Sequence, residues 1–213
     1  PISQNSPEKR EILASGSADA TIRLWNIQTG ECLQTLTGHT SWVRSIDFTP
    51  DGKTLISGSS DKMIKYWDVE TGNCDRTDTG HDGGIYSIAL SPCGEVLASG
   101  SGDKTIRFWN VQTGETLKIF HGKIDQVLAI AFSNDDRTLA CVSQNQIVTL
   151  WHWQIDRCFR TLHGHTDWAF PVAFHSGGNL LASGSSDRTV KLWDIAAERL
   201  LRSFSGHSDQ IMS

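Results

Sequence analysis

The chain has 213 residues, 38% of them hydrophobic and 20% charged, with a formal net charge of −5. That is enough apolar material for a buried core, and the acidic balance excludes a dedicated nucleic-acid binder working through a basic face. The longest unbroken apolar run, residues 127–132, is far too short for a membrane-spanning helix, no signal-peptide pattern is visible, and five cysteines without a C-x-x-C pair fit the reducing cytoplasm rather than a disulfide framework.

Tryptophan is over-represented, and five of the eight, Trp25, Trp67, Trp109, Trp151 and Trp193, recur every 42 residues. Other columns keep the same phase: Leu13, Leu55, Leu97, Leu139 and Leu181; Ser17, Ser59, Ser101, Ser143 and Ser185; Asp19, Asp61, Asp103, Asn145 and Asp187. Gly38, Gly80, Gly122, Gly164 and Gly206 form a further column, followed by His39, His81, Lys123, His165 and His207. Five copies cover nearly the whole chain, which is the signature of a repeat architecture.

Pro1 matches the turn proline Pro50, so the chain starts just after one strand and Leu13 opens the next. In the first copy, residues 21–27 place Ile22 and Leu24 on one face of a strand and Trp25 and Ile27 on the other. Both faces are apolar, so each sheet is expected to lie between sheets like itself. The second copy shows all four strands: a over 42–48, b over 54–59, c over 63–69 and d over 73–78, separated by turns at 49–52, 60–61 and 70–72. Strand d is polar, as an outer edge should be. Strand a carries Pro171 in one copy, which also marks an edge. The fourth copy departs most, with Lys123 for His, Cys141 in the column of Ser15, Ser57, Ser99 and Ser183, Asn145 for Asp, and His152 after the tryptophan. Ser213 stops inside a further strand a. No stretch keeps a 3.6-residue period, so helices should be trivial. The expected fold is all-β: a propeller of five four-stranded antiparallel blades, forming a single unit over residues 1–213 or a segment of a longer chain. Closure is expected through the carboxyl-terminal half strand, with Ile211 pairing towards Leu13 and His207 reaching Asp19.

With Gly38-His39 followed by Trp67-Asp68, Gly164-His165 followed by Trp193-Asp194, and a Ser-x-Asp between, the chain resembles the WD-repeat β-propeller family from about Ile12 onward. The resemblance implies a ring of blades around a channel and a non-catalytic platform for protein–protein contact, as a scaffold or sensor within a larger protein. It also implies a structural hydrogen-bond network of Trp, Ser, His and Asp in each blade: Ser15, Asp19 and Trp25 with His207; His39, Ser57, Asp61 and Trp67; His81, Ser99, Asp103 and Trp109; His165, Ser183, Asp187 and Trp193. Whether the first or second serine of each pair, Ser57 or Ser59, takes part is open, since both point to one face.

The same residues could suggest a nucleophile triad, but a catalytic site has no need of four or five copies, and no enzyme activity, cofactor or metal is expected. His163 and His165 lack a third ligand. Cys32, Cys74 and Cys158 share a column of strand d and are expected as small core residues. The columns that vary are Trp42, Gly84, Gln126, Trp168 and Gln210, and then Arg44, Tyr86, Leu128, Phe170 and Met212. In the family these positions open onto the top face around the channel. Trp42, Arg44, Tyr86, Trp168, Phe170 and Met212 are therefore the candidate partner-binding residues, being of types enriched at hot spots. The partners expected are other proteins or other domains of the parent chain, not nucleic acid or membrane. A small-ligand or glycan-binding propeller is the alternative; it would favour aromatic and polar pairs repeated in every copy, and the aromatics here are irregular.

Overall fold

The computed structural model describes residues 11–121, 125–155 and 157–212. Pro1, Gly122, Lys123 and Ser213, on which some of the expectations above rest, lie outside these residues. The first blade holds β1 (Ile12–Gly16), β2 (Ile22–Asn26) and β3 (Cys32–Leu36); the second β4 (Val43–Phe48), β5 (Thr54–Ser59), β6 (Ile64–Asp68) and β7 (Cys74–Asp78). The third holds β8 (Ile85–Leu90), β9 (Val96–Ser101), β10 (Ile106–Asn110) and β11 (Thr116–Phe120); the fourth β12 (Val127–Phe132), β13 (Thr138–Ser143), β14 (Val148–His152) and β15 (Arg157–Leu162). The fifth holds β16 (Ala169–Phe174), β17 (Leu180–Ser185), β18 (Thr189–Asp194) and β19 (Arg199–Ser205). Each blade is an antiparallel meander in sequence order, and a single 3-10 turn, Trp153–Ile155, is the only helical element among the described residues.

The core lies between blades. Ile22 and Leu24 of β2 pack on Trp67 and Val69 of the second blade; Ile56, Ile64 and Tyr66 pack on Ile85, Leu97 and Trp109; Ile106 and Phe108 on Val127, Ile130 and Leu139; Val148 and Leu150 on Leu181 and Trp193. Strand c therefore needs both faces apolar wherever it has two neighbours. Glycine lets the packed strands come close: a Cβ on Gly58 would meet Ile85 and Ile88 at 2.8 Å. The inner strands are also stitched directly. Leu90 N–H donates to the half-buried Asp47 carboxylate at 3.0 Å, and Ile130 N–H to Ser87 Oγ at 3.2 Å.

Among the described residues the first blade has three strands, and no segment of the carboxyl end pairs with them. Ile211 N–H donates to Ser185 O at 3.1 Å, as Val43 N–H donates to Ser17 O at 3.0 Å. That segment thus meets the fifth blade as the start of β4 meets the first. His207 is exposed and makes no side-chain hydrogen bond among the described residues, while the Asp19 carboxylate is engaged by Thr21. Among the described residues there are four inter-blade cores, and Leu13 and Ile27 of the first blade and Leu200, Leu201 and Phe204 of the fifth are exposed. One expectation is corrected: Cys32, Cys74 and Cys158 are exposed rather than core. Strand d is the outermost edge, and a register shift opposite each of these cysteines turns them to solvent, where each thiol meets the carbonyl two residues on.

Candidate partner-binding face

The inner strands are held by a repeated four-residue chain. In the second blade Trp67 Nε1–H donates to Ser57 Oγ at 2.8 Å, Ser57 Oγ lies 2.8 Å from His39 Nε2, and His39 Nδ1 lies 2.7 Å from Asp61 Oδ2. The indole can only donate, so the serine hydrogen is left for Nε2 and the ring carries its proton on Nδ1, facing the carboxylate. The third and fifth blades repeat the arrangement with Trp109, Ser99, His81 and Asp103, and with Trp193, Ser183, His165 and Asp187. The first serine of each pair joins the chain; the second, Ser59, caps the b–c turn by accepting from Asp61 N–H and donating to Ser41 O. The preceding Gly38, at φ 142°, lies where a Cβ would sit 3.4 Å from the Trp67 ring, and at Gly164 the corresponding clearance to Trp193 is 3.0 Å.

Burial lowers the pKa of His39, His81 and His165 despite the pull of the neighbouring carboxylates. Burial alone would raise the aspartates, but it is outweighed: hydrogen bonds from Thr105 and His81 hold Asp103 at about 2, and Thr40 N–H and His39 hold Asp61 below its ordinary value. The chain is thus a neutral imidazole bonded to an ionised carboxylate. Buried, with one nitrogen on the serine and the other on the aspartate, each imidazole ties the segment before strand a to strand b and the b–c turn of the same blade.

The first and fourth blades lack part of the chain. Trp25 Nε1–H reaches Ser15 Oγ at 2.8 Å, with no histidine beyond it. In the fourth blade the serine is replaced by the buried Cys141, whose thiol is pushed up to about 12 by burial. Trp151 Nε1–H turns instead to Thr149 Oγ1 at 3.0 Å, and Asn145 accepts from the Ser143 hydroxyl at 2.8 Å. Thr149 occupies a column otherwise filled by Arg23, Lys65, Arg107 and Lys191, so the switch is visible in the sequence only to a reader already seeking a new acceptor.

An inter-blade device was not anticipated. Strand d carries Gln34, Arg76 and Lys118 in one column, and each donates to carbonyls at the c–d turn of the next blade: Gln34 to Glu70 O at 2.9 Å, Arg76 to Val111 O at 2.8 Å and Gln112 O at 3.0 Å, Lys118 to Trp153 O at 3.1 Å and Gln154 O at 3.0 Å. Arg160, next in the column, pairs with Glu198 of the following blade.

With the blades so fixed, the starts of β4, β8, β12 and β16 surround a cavity of about 730 Å³. Arg44, Tyr86, Trp168, Phe170 and Met212 line it, together with Leu128 and Gln126. Trp42 does not line it but lies beside it, half exposed, with the Arg44 guanidinium 4.5 Å from its ring centre. Trp168 and Phe170 meet edge to face at 6.3 Å, and Trp168 and Met212 are 44% and 62% exposed. The face therefore offers apolar surface that no part of the described chain covers. Two further contributors were not singled out: Gln144, which lines the cavity, and Ser60, whose Oγ accepts from Arg44 Nε at 3.0 Å. Both lie in the variable column of Ala18, Ser60, Gly102, Gln144 and Ser186.

Blades meandering from an inner to an outer edge, with cores between them, define a β-propeller architecture. The chain belongs to the WD-repeat family: the family model "WD domain, G-beta repeat" matches residues 3–26, 30–68, 72–110, 114–152 and 156–194. Among curated proteins it is similar to nuclear distribution protein PAC1 of Mycosarcoma maydis, 52% identical over 46 residues, which is 22% of this chain and 10% of that protein. It is also similar to a Lissencephaly-1 homolog of Heterostelium pallidum, 61% identical over 44 residues, 21% of this chain and 11% of that protein. Nuclear distribution protein nudF 2 of Penicillium rubens is 52% identical over 54 residues, 25% and 11% of the two chains. Each match thus spans only about a tenth of the relative's length.

Proposed function

We propose that this protein is a non-catalytic interaction platform that holds a partner protein, or another domain of its parent chain, across the face bearing Trp42, Arg44, Tyr86, Trp168, Phe170 and Met212. The observation that carries this reading is the uncovered cavity of about 730 Å³ ringed by aromatic and apolar side chains on the rigid inner strands. Exposed aromatics set on a fixed frame lose little entropy on binding, and they are the residue types that concentrate binding energy. The polar constellations repeat from blade to blade and bond to one another within each blade, which favours a structural role for them over a catalytic one. A cytoplasmic setting suits five unpaired thiols, and no helix among the described residues is long and apolar enough to cross a membrane.

Immobilised wild-type chain and the Trp168→Ala and Phe170→Ala variants, exposed to the same cell extract, test this. A specific protein should be retained by the wild type and lost with the variants, each substitution costing about 1 kcal/mol or more if it removes a hot spot. Melting temperatures should stay unchanged. Variants that melt early would identify both residues as packing groups and overturn the reading.

A further inference from the structure

Resting on that reading, we propose that the segment received by this face is acidic: an extended peptide whose Asp or Glu carboxylate seats on Arg44, with an apolar side chain laid against Leu128, Phe170 and Met212. Among the described residues Arg44 is the only charged one lining the cavity. Its Nε–H is tied to Ser60 Oγ at 3.0 Å, and its guanidinium lies 4.5 Å from the Trp42 ring centre and 5.4 Å from that of Tyr86. The side chain is therefore held from three sides, yet its two terminal nitrogens have no hydrogen-bond partner and no carboxylate within ion-pairing distance among the described residues.

Two other arginines, Arg76 and Arg160, show what such a group does when it is structural. Arg76 pairs with Asp78 at 2.9 Å and caps two carbonyls, and Arg160 pairs with Glu198. Asp125, next to Gln126 in the chain, is taken by Lys104 at 3.1 Å and is not spent on Arg44. A chain of net charge −5 thus keeps one oriented, unneutralised guanidinium at its cavity. A guanidinium fork fixed by stacking and by one hydrogen bond is preorganised for the two oxygens of a carboxylate, so little ordering remains to oppose binding. The Gln144 side-chain amide supplies both a donor and an acceptor for an extended backbone beside it.

The test uses a fluorescence-polarisation array of labelled eight-residue peptides, each with one Glu and one Leu or Phe at varied separation. Matched sets carry Gln or phosphoserine in place of Glu, and an RNA oligonucleotide of equal charge is included. Wild-type protein should bind a subset of the Glu peptides, and the Gln counterparts should bind about tenfold more weakly, as expected for losing one desolvated charge pair. Arg44→Gln should lose the same factor. Arg44→Lys should recover only part of it, because a point charge cannot replace the fork. The peptide swap on wild-type protein stands even if an Arg44 variant folds poorly. The proposal is overturned if no Glu peptide binds, if Gln peptides bind equally well, or if only the phosphopeptides or the RNA bind. If the Arg44 variants still retain a protein that Trp168→Ala loses, the acidic specificity falls while the platform stands. If neither residue matters for any ligand, both fall.

Discussion

At the residue scale, the protonation of the three buried histidines decides how the molecule responds to acid. Burial sets the pKa of His39, His81 and His165 below the ordinary value of about 6.5. An unfolded chain would protonate these rings first, so between that value and the lowered folded one the unfolded state binds more protons and stability falls as pH falls. The aspartates act in the same direction lower down. Asp103, held at about 2, contributes stability that is full above about pH 4 and is lost as the pH drops towards 2. The expected outcome is a melting temperature that declines from about pH 6.5 downward, while ring-nitrogen NMR shows the native imidazoles carrying their proton on Nδ1 and titrating below a solvent-exposed histidine. Titration at or above that reference would contradict this. The columns recur in phase and a buried indole needs an acceptor, but it was the resemblance to the WD-repeat family that implied which of them bond to one another. The choice of Ser57 over Ser59 was not legible in the sequence, since both lie on one strand face and only three-dimensional reach separates them. Nor was the turn of Trp151 to Thr149, where a residue that breaks one column mends the loss in another.

At the element scale, the strands were readable from turn residues and two-faced hydrophobicity. Strand c of the second copy, expected over 63–69, folds as Ile64–Asp68, and strand d, expected over 73–78, as Cys74–Asp78. The strand d cysteines misled because small apolar residues suggest a core, whereas on these outer strands burial is confined to the last residue, Leu36, Asp78, Phe120 or Leu162, and the cysteines lie at the other end. The Gln34, Arg76 and Lys118 column stayed hidden for a different reason. Long polar side chains on an edge look like ordinary solvated surface until the next blade is placed beside them. Arg76 is the most committed of these, bonding two carbonyls while its guanidinium stacks on Tyr66 at 3.7 Å and pairs with the buried Asp78. Arg76→Ala should destabilise the protein by about 2–4 kcal/mol, since it removes two charge-assisted bonds and strands Asp78. Gln34→Ala removes one neutral bond at an exposed site and should cost about 1 kcal/mol or less. Paired chemical-denaturation curves check this, and equal losses at the two positions would show that the arginine contacts add nothing beyond a single neutral bond.

At the scale of the whole molecule, stability is a sum over neighbouring blades, because nearly every large buried side chain packs across a blade boundary rather than within a blade. Among the described residues the second, third and fourth blades have a core on each face, and the first and fifth on one face only. The end blades differ in turn. The fifth keeps four strands and the full His165, Ser183, Asp187 and Trp193 chain. The first has three strands, an indole–serine bond without a histidine, and Leu13 and Ile27 57% and 55% exposed. Local opening follows the number of buried contacts that must be broken, so amide exchange should rank the blades. Under native conditions β2 and β3 should exchange fastest, β17 and β18 next, and β5, β9 and β13 slowest. The first blade should also open at denaturant concentrations where the middle three remain protected. Uniform protection across all five, lost in one step, would mean that the blades form one cooperative unit and that the nearest-neighbour account of the array is wrong.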